Sequence, residues 1–144
     1  MAPGMSNPLY TTEILRLAAS LDEPQALDRE DGRAEFRSPT CGSKIHLIVQ
    51  LDDRRRVERL SMSVQACAFG QASAALLARH SRGRTHGEVS DAMLGLSRWL
   101  SEDSHGQCDW PGMAALAPAR SRRGRHGAIL LPFRALLAAM EDAG

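Results

Sequence analysis

Between Leu60 and His80 the apolar period of the chain changes, and this change constrains the fold more than any other stretch. Leu60, Met62 and Val64 alternate as on a strand, whereas Phe69, Ala72, Leu76 and His80 recur at helical spacing. A strand therefore runs into a helix close to Cys67. The N–H groups left unpaired in a first helical turn, with the positive end of the helix dipole, favour a thiolate there, the form of cysteine that binds metal and attacks sulfur. Gly70 permits close backbone approach beside it. Against this stands the reading of Cys67 as a small core residue packed like alanine, because free cysteine is among the most buried residue types.

Upstream, Ile45, Leu47, Val49 and Leu51 alternate with Lys44, His46 and Gln50, which predicts a half-buried strand over 44–51. Asp52 to Arg55 suits a turn, and Arg56 to Val64 returns as the partner strand. Cys41 precedes the first of these strands and Cys67 follows the second. A hairpin sets those two ends side by side, about 4.8 Å being the strand spacing, although 26 positions separate the cysteines. A short strand is expected over 34–37. Before it, Ile14, Leu17, Ala18 and Leu21 form the stripe of a helix capped by Thr11 or Thr12, stopped by Pro24 and packed on the sheet.

Beyond the Cys67 helix, Arg82-Gly83-Arg84 breaks the chain, and Thr85 with Glu88 makes a capping-box pattern opening a helix with Val89, Ala92, Met93, Leu96 and Leu100 on one face. A polar loop over 101–109 holds His105 and Cys108. A short helix is predicted at 113–117, then a basic run over 119–126. Pro132 fits the first turn of a last helix carrying Phe133, Leu136, Leu137 and Met140.

A chain of 144 residues is long enough to bury a core without staples, and one domain over 9–143 behind a mobile tail at 1–8 is expected. Lys plus Arg number 18 against 17 Asp plus Glu, which gives no general electrostatic attraction to nucleic acid or anionic lipid. Aromatics at 4% supply no stacking platform for single strands. Three widely spaced cysteines make no disulfide framework, and no apolar stretch reads as a secretion signal or membrane span, so a reducing cytoplasm is expected. No Ser-His-Asp order, phosphate loop or HExxH pattern points to an enzyme. Thiol transfer through Cys67 or Cys41 is the one chemistry the residues offer.

Pro39-Thr40-Cys41-Gly42, Ala66-Cys67-Ala68 followed by Gln71-Ala72-Ser73-Ala74, Arg82-Gly83-Arg84-Thr85, and Leu130-Leu131-Pro132-Phe133-Arg134-Ala135-Leu136 together resemble the U-type iron-sulfur cluster assembly scaffolds, the NifU N-terminal-like group that includes IscU and SufU. The resemblance runs from about Leu9 to the last helix. Trp110 to Leu116 and Arg125 look closer to the SufU branch, and the chaperone-binding Leu-Pro-Pro-Val-Lys motif is absent. The resemblance implies an α+β domain of the NifU/SufE-like fold, a short antiparallel sheet covered by helices, with cysteines converging at one end. Those cysteines would receive sulfur from a cysteine desulfurase, hold a transient iron-sulfur cluster or zinc, and pass the cluster to apo-protein acceptors. Thiolates are soft donors suited to either cargo.

Cys41 and Cys67 match the first two family ligands. The family aspartate two residues after the first cysteine is Ser43 here, and the third cysteine is Ala128. An extended segment over 125–128 would point His126 to the same side as Ala128, making it a candidate replacement ligand, with a solvated histidine in a basic loop as the alternative. Cys108 could reach the site if its loop folds back, with an exposed loop cysteine as the alternative. Arg120, Arg122, Arg123 and Arg125 form the densest basic cluster, either a solvated loop or a docking surface for an acidic partner. A homodimer pooling two Cys41/Cys67 pairs would supply four thiolates. Two functions follow: a scaffold or sulfur acceptor working through Cys41 and Cys67, or a degenerate homologue that holds zinc or no metal and serves as an interaction or regulatory protein.

Overall fold

The structure, a computed structural model, describes residues 10–38, 42–101 and 108–144. The expected tail at 1–8, Cys41 and His105 lie outside the described residues. The elements run α1 (Thr12–Ala19), β1 (Gly32–Arg37), β2 (Lys44–Leu51), β3 (Val57–Gln65), α2 (Ala68–His80), α3 (His86–Leu100), two 3-10 segments (Met113–Ser121 and Arg123–Arg125) and α4 (His126–Asp142). The three strands form one antiparallel sheet in the order β1-β2-β3. This is the α+β architecture expected.

The alternation of β2 decides which face is covered. Ile45, Leu47 and Val49 are fully buried beneath the helices, while Lys44, His46 and Ile48 are half-buried on the other face. The segment between α1 and β1 ties itself over part of that outer face: Gln25 N–H donates to Ser61 Oγ at 2.9 Å and Arg29 N–H to Gln50 Oε1 at 3.1 Å. The β2–β3 turn is closed by Asp52, whose carboxylate accepts N–H groups of Arg54 and Arg56, each at 2.9 Å.

α2 is the central helix, its residues Ala72 to Leu77 all buried. Its small side chains let neighbours approach from several directions, so the Phe69–Leu76 stripe is only part of its buried surface. α1 uses α2 as its principal partner, not the sheet as the sequence suggested. Thr11 Oγ1 caps α1 by accepting the Ile14 N–H at 3.1 Å, and the helix ends at Ala19, ahead of Pro24. The capping box of α3 forms as predicted, Glu88 N–H donating to Thr85 Oγ1 and Thr85 N–H to the Glu88 carboxylate.

The last helix departs most from expectation. α4 begins at His126, so Pro132 lies inside it instead of opening it. A proline there removes the helical bond to the Ala128 carbonyl. Burial of Ala128, Ile129, Leu130 and Leu131 sustains helix through this gap because tertiary packing outweighs the local break. The basic run is not a loop: Met113–Ser121 is a 3-10 segment that continues through Pro118.

Gly32, where β1 begins, sits directly against the backbone of α4, and a Cβ there would collide with the Ala139 carbonyl oxygen. Gly32→Ala is expected to lower stability by about 1–3 kcal/mol or more, the cost of forced overpacking, measured by urea unfolding. Acid sensitivity supplies a second prediction. The Thr85 N–H bond to Glu88 holds its carboxyl below the ordinary value of 4.5. Its stabilisation is therefore present above that pH and lost as pH falls through the lowered folded value. Glu88→Gln, which keeps the capping geometry, should flatten the fall of stability below pH 4.5 in acid titrations monitored by circular dichroism.

Candidate metal and sulfur site

The β2–β3 register fixes one end of the sheet as the place where separate segments meet. Lys44 pairs with Gln65 and Ile45 with Val64, so the entrance of β2 lies beside the exit of β3. Cys67 follows that exit as the N-cap of α2, with extended backbone at φ −66° and ψ 172°. Its side chain makes no capping hydrogen bond and is half-buried. The thiol is thus placed at the helix entrance as the period change predicted. Ser38 and Ser43, which flank Cys41 in the sequence, are joined by the Ser38 N–H donating to the Ser43 carbonyl at 2.8 Å.

The start of α4 closes the same end. A Cβ on Gly70 would lie 3.2 Å from the Ala128 carbonyl oxygen and 3.3 Å from the Ala128 Cβ, so the helices touch there backbone to backbone. One turn further on, Ser73 Oγ donates to the Ile129 carbonyl at 2.6 Å. A Cβ on Gly127 would meet Ser38 Oγ at 3.5 Å, which brings the α4 start against Ser38. Ser43, Cys67 and Ala128 therefore belong to one end of the molecule. Ala128 is 1% exposed and Ser43 is 3% exposed, so a methyl and a hydroxyl fill places where the family resemblance puts ligands.

His126 takes a different position from the one the sequence suggested. Because residues 125–128 are not extended, His126 and Ala128 lie on nearly opposite sides of a helix, about 100° separating successive residues. The His126 Nε2 bonds to the carbonyls of Ala119 at 2.9 Å and Arg120 at 3.1 Å. Carbonyl oxygens only accept, so Nε2 carries the proton and Nδ1 alone remains for a metal.

Cys108 is not an exposed loop cysteine: it is half-buried among core residues near Trp110, whose Nε1–H donates to the Leu76 carbonyl at 2.9 Å. Leu76 stands about 14 Å along α2 from Cys67 at 1.5 Å per residue, so Trp110 anchors this segment at the far half of the helix. Burial pushes the Cys108 thiol above its ordinary value, with the Asp109 charge adding to the shift. Among the described residues no group of three His, Cys, Asp or Glu side chains is arranged to hold a metal ion.

The four arginines of the basic run also separate. Arg120 is engaged inside the fold, its Nε–H donating to the Trp99 carbonyl at 2.7 Å and its guanidinium lying 5.2 Å from the Trp99 ring centre. Arg122 and Arg123 are exposed, and Arg125 is half-buried. Sequence spacing could not distinguish Arg120, because its partner Trp99 comes from another helix. Among the described residues no helix is long and apolar enough to cross a membrane.

No protein-family profile matches the chain, and no curated protein matches it by sequence. Solved structures do. The chain superposes on a NifU-like protein (N-terminal) from Brucella abortus with TM-score 0.85 and 28% identity over 96% of each chain. It matches a protein described as a putative iron-sulfur cluster assembly scaffold for the SUF system from Fervidobacterium islandicum with TM-score 0.81 and 18% identity, over 94% of this chain and 98% of the other.

Cys67 and Cys108 should differ as nucleophiles. At pH 8 a maleimide is expected to label Cys67 faster than Cys108, as read by peptide mass spectrometry, because burial lowers the thiolate fraction of the half-buried Cys108; equal rates would contradict the environment described for Cys108. Matched along almost their whole length by this chain, the NifU-like protein and the SUF-system scaffold share its fold, with Cys67 at a helix entrance at one end of the sheet.

Proposed function

We propose that this protein accepts sulfur and holds a nascent iron-sulfur cluster, as cargo, through Cys41 and Cys67. The observation that carries this reading is the pairing of the β2 entrance with the β3 exit, which sets Cys67 beside the segment that follows Cys41. Sulfur would arrive as a persulfide on a cysteine desulfurase. The Cys67 thiolate attacks the outer sulfur, a new S–S bond forms at Cys67, and the desulfurase cysteine leaves as a thiolate. The exposed Arg122 and Arg123, with Arg125 beside them, offer that enzyme a positive docking surface near the α4 start, while Arg120 supports the surface from within. Apo-protein acceptors would take the completed cluster.

Two thiolates do not complete a four-cysteine cluster site. Ala128 contributes only a methyl, and Ser43 a neutral hydroxyl, so the remaining ligands come from outside the chain. A second copy contributing its own pair would supply four thiolates in a homodimer. The relation to the SufU branch rests on the Trp110–Leu116 and Arg125 spacing, and Trp110 is a core anchor here.

A second reading draws on Ala128 itself. Its close packing on Gly70 makes that position a structural contact, which suits a homologue that retains the fold as a zinc-holding or metal-free interaction protein.

The deciding experiment compares iron, zinc and acid-labile sulfide in anaerobically purified protein with a Cys41→Ala/Cys67→Ala variant. Stoichiometric iron and sulfide in the parent, lost in the variant, is the expected result, and a dimer should accompany it on gel filtration. Zinc alone, or no metal in either protein, would favour the second reading.

A further inference from the structure

A groove at the opposite end of α2 from Cys67 has the charge and size of a binding site. It is an open groove between α1 and the end of α2 with a volume of about 720 Å³, lined in part by Arg16, Leu17, Ser20, Leu76, Arg79 and His80. That volume falls within the roughly 300–1,000 Å³ common to small-ligand sites. Arg79 lies about 18 Å along α2 from Cys67 at 1.5 Å per residue, so the groove is separate from the thiol end.

Its walls combine charge with an apolar floor. Among the described residues neither Arg16 nor Arg79 is ion-paired to a carboxylate, and Glu13 is the acidic side chain among the lining residues. A basic residue at a helix C-terminus ordinarily serves its own last carbonyls. Here that service falls to Arg84, whose Nε–H donates to the His80 carbonyl at 2.8 Å. Arg79 instead reaches across to α1, where its Nη2 donates to Ser20 Oγ at 3.1 Å, leaving further guanidinium N–H groups at the groove. Ser20 Oγ in turn donates to the Leu17 carbonyl at 2.7 Å, which fixes the hydroxyl that receives Arg79. Leu17 and Leu76 supply the apolar surface between the cations.

We propose that this groove binds a small polyvalent anion, of phosphate or polycarboxylate chemistry, held between the guanidinium groups of Arg16 and Arg79. Planar guanidinium forks match both classes of oxyanion. The field in the groove agrees with this. His80 is held below its ordinary value of 6.5 by burial first, then by the nearby positive charges of Arg79 and Arg84. Glu13 and Arg16, of opposite charge, also line the groove. An anion between the arginines would offset that field and raise the His80 value.

The test uses the full-length protein with inorganic pyrophosphate and, in a separate titration, citrate, followed by backbone and histidine NMR. Saturable shifts confined to α1 and the end of α2, with a rise in the His80 pKa, are expected. Arg16→Glu and Arg79→Glu, both exposed positions, should each weaken binding at least tenfold, whereas Arg79→Lys should retain part of it. Response to pyrophosphate alone would specify phosphate chemistry, and response to citrate alone would specify polycarboxylates. Failure of both anions to shift these residues, or binding undiminished in both charge-reversed variants or moved to Arg122 and Arg123, would overturn the proposal. An unchanged amide spectrum outside the groove verifies that the variants are folded.

Discussion

The close crossing of α2 and α4 is the contact on which the working end of this molecule depends. Gly70 has no space for a side chain, with a Cβ there meeting the Ala66 Cβ at 2.7 Å as well as Ala128. The Ser73 hydroxyl then binds the Ile129 carbonyl from a buried position. A hydrogen bond to backbone at such a site stabilises the crossing and would leave a costly orphan if only one partner were removed. Together these contacts hold the α4 start beside the helix entrance occupied by Cys67. The sheet supplies the other boundary, since β2 and β3 are in register up to Lys44 and Gln65.

This packing explains how the fold accommodates the two exchanges that the family resemblance implies, at Ala128 and Ser43. A buried methyl at Ala128 fits a backbone-to-backbone contact, and a buried Ser43 sits in the turn between β1 and β2. Neither exchange disturbs the elements that position Cys67. Under the proposed function, the family resemblance would put three cysteines and an aspartate where this chain has Cys41, Cys67, Ala128 and Ser43.

The two ends of α2 have different physical characters. At its N-terminus the chain enters from β3 with extended backbone, and a sulfur atom stands at the first turn. At its C-terminus, Arg84 covers the last carbonyl and stacks at 4.2 Å over Trp110, freeing Arg79 to bridge toward α1. Trp110 also packs edge-on against Phe133 of α4, so the segment bearing Cys108 is held by the core at this second end. A single buried helix therefore separates a thiol end from a cationic one.

Local pattern determined much of this protein. Alternation defined β2 over Lys44–Leu51, the change of period located Cys67 at a helix entrance, and Thr85 with Glu88 announced the start of α3. Each depends on neighbours a few residues apart, and such patterns are written directly in a sequence. Tertiary structure decided the rest. It drew α4 back to His126 through burial of Ala128 to Leu131 despite Pro132, turned His126 toward the Ala119 and Arg120 carbonyls, and committed Arg120 to Trp99. Those outcomes arise from partners distant along the chain, whose packing outweighs local preference and has no local signature.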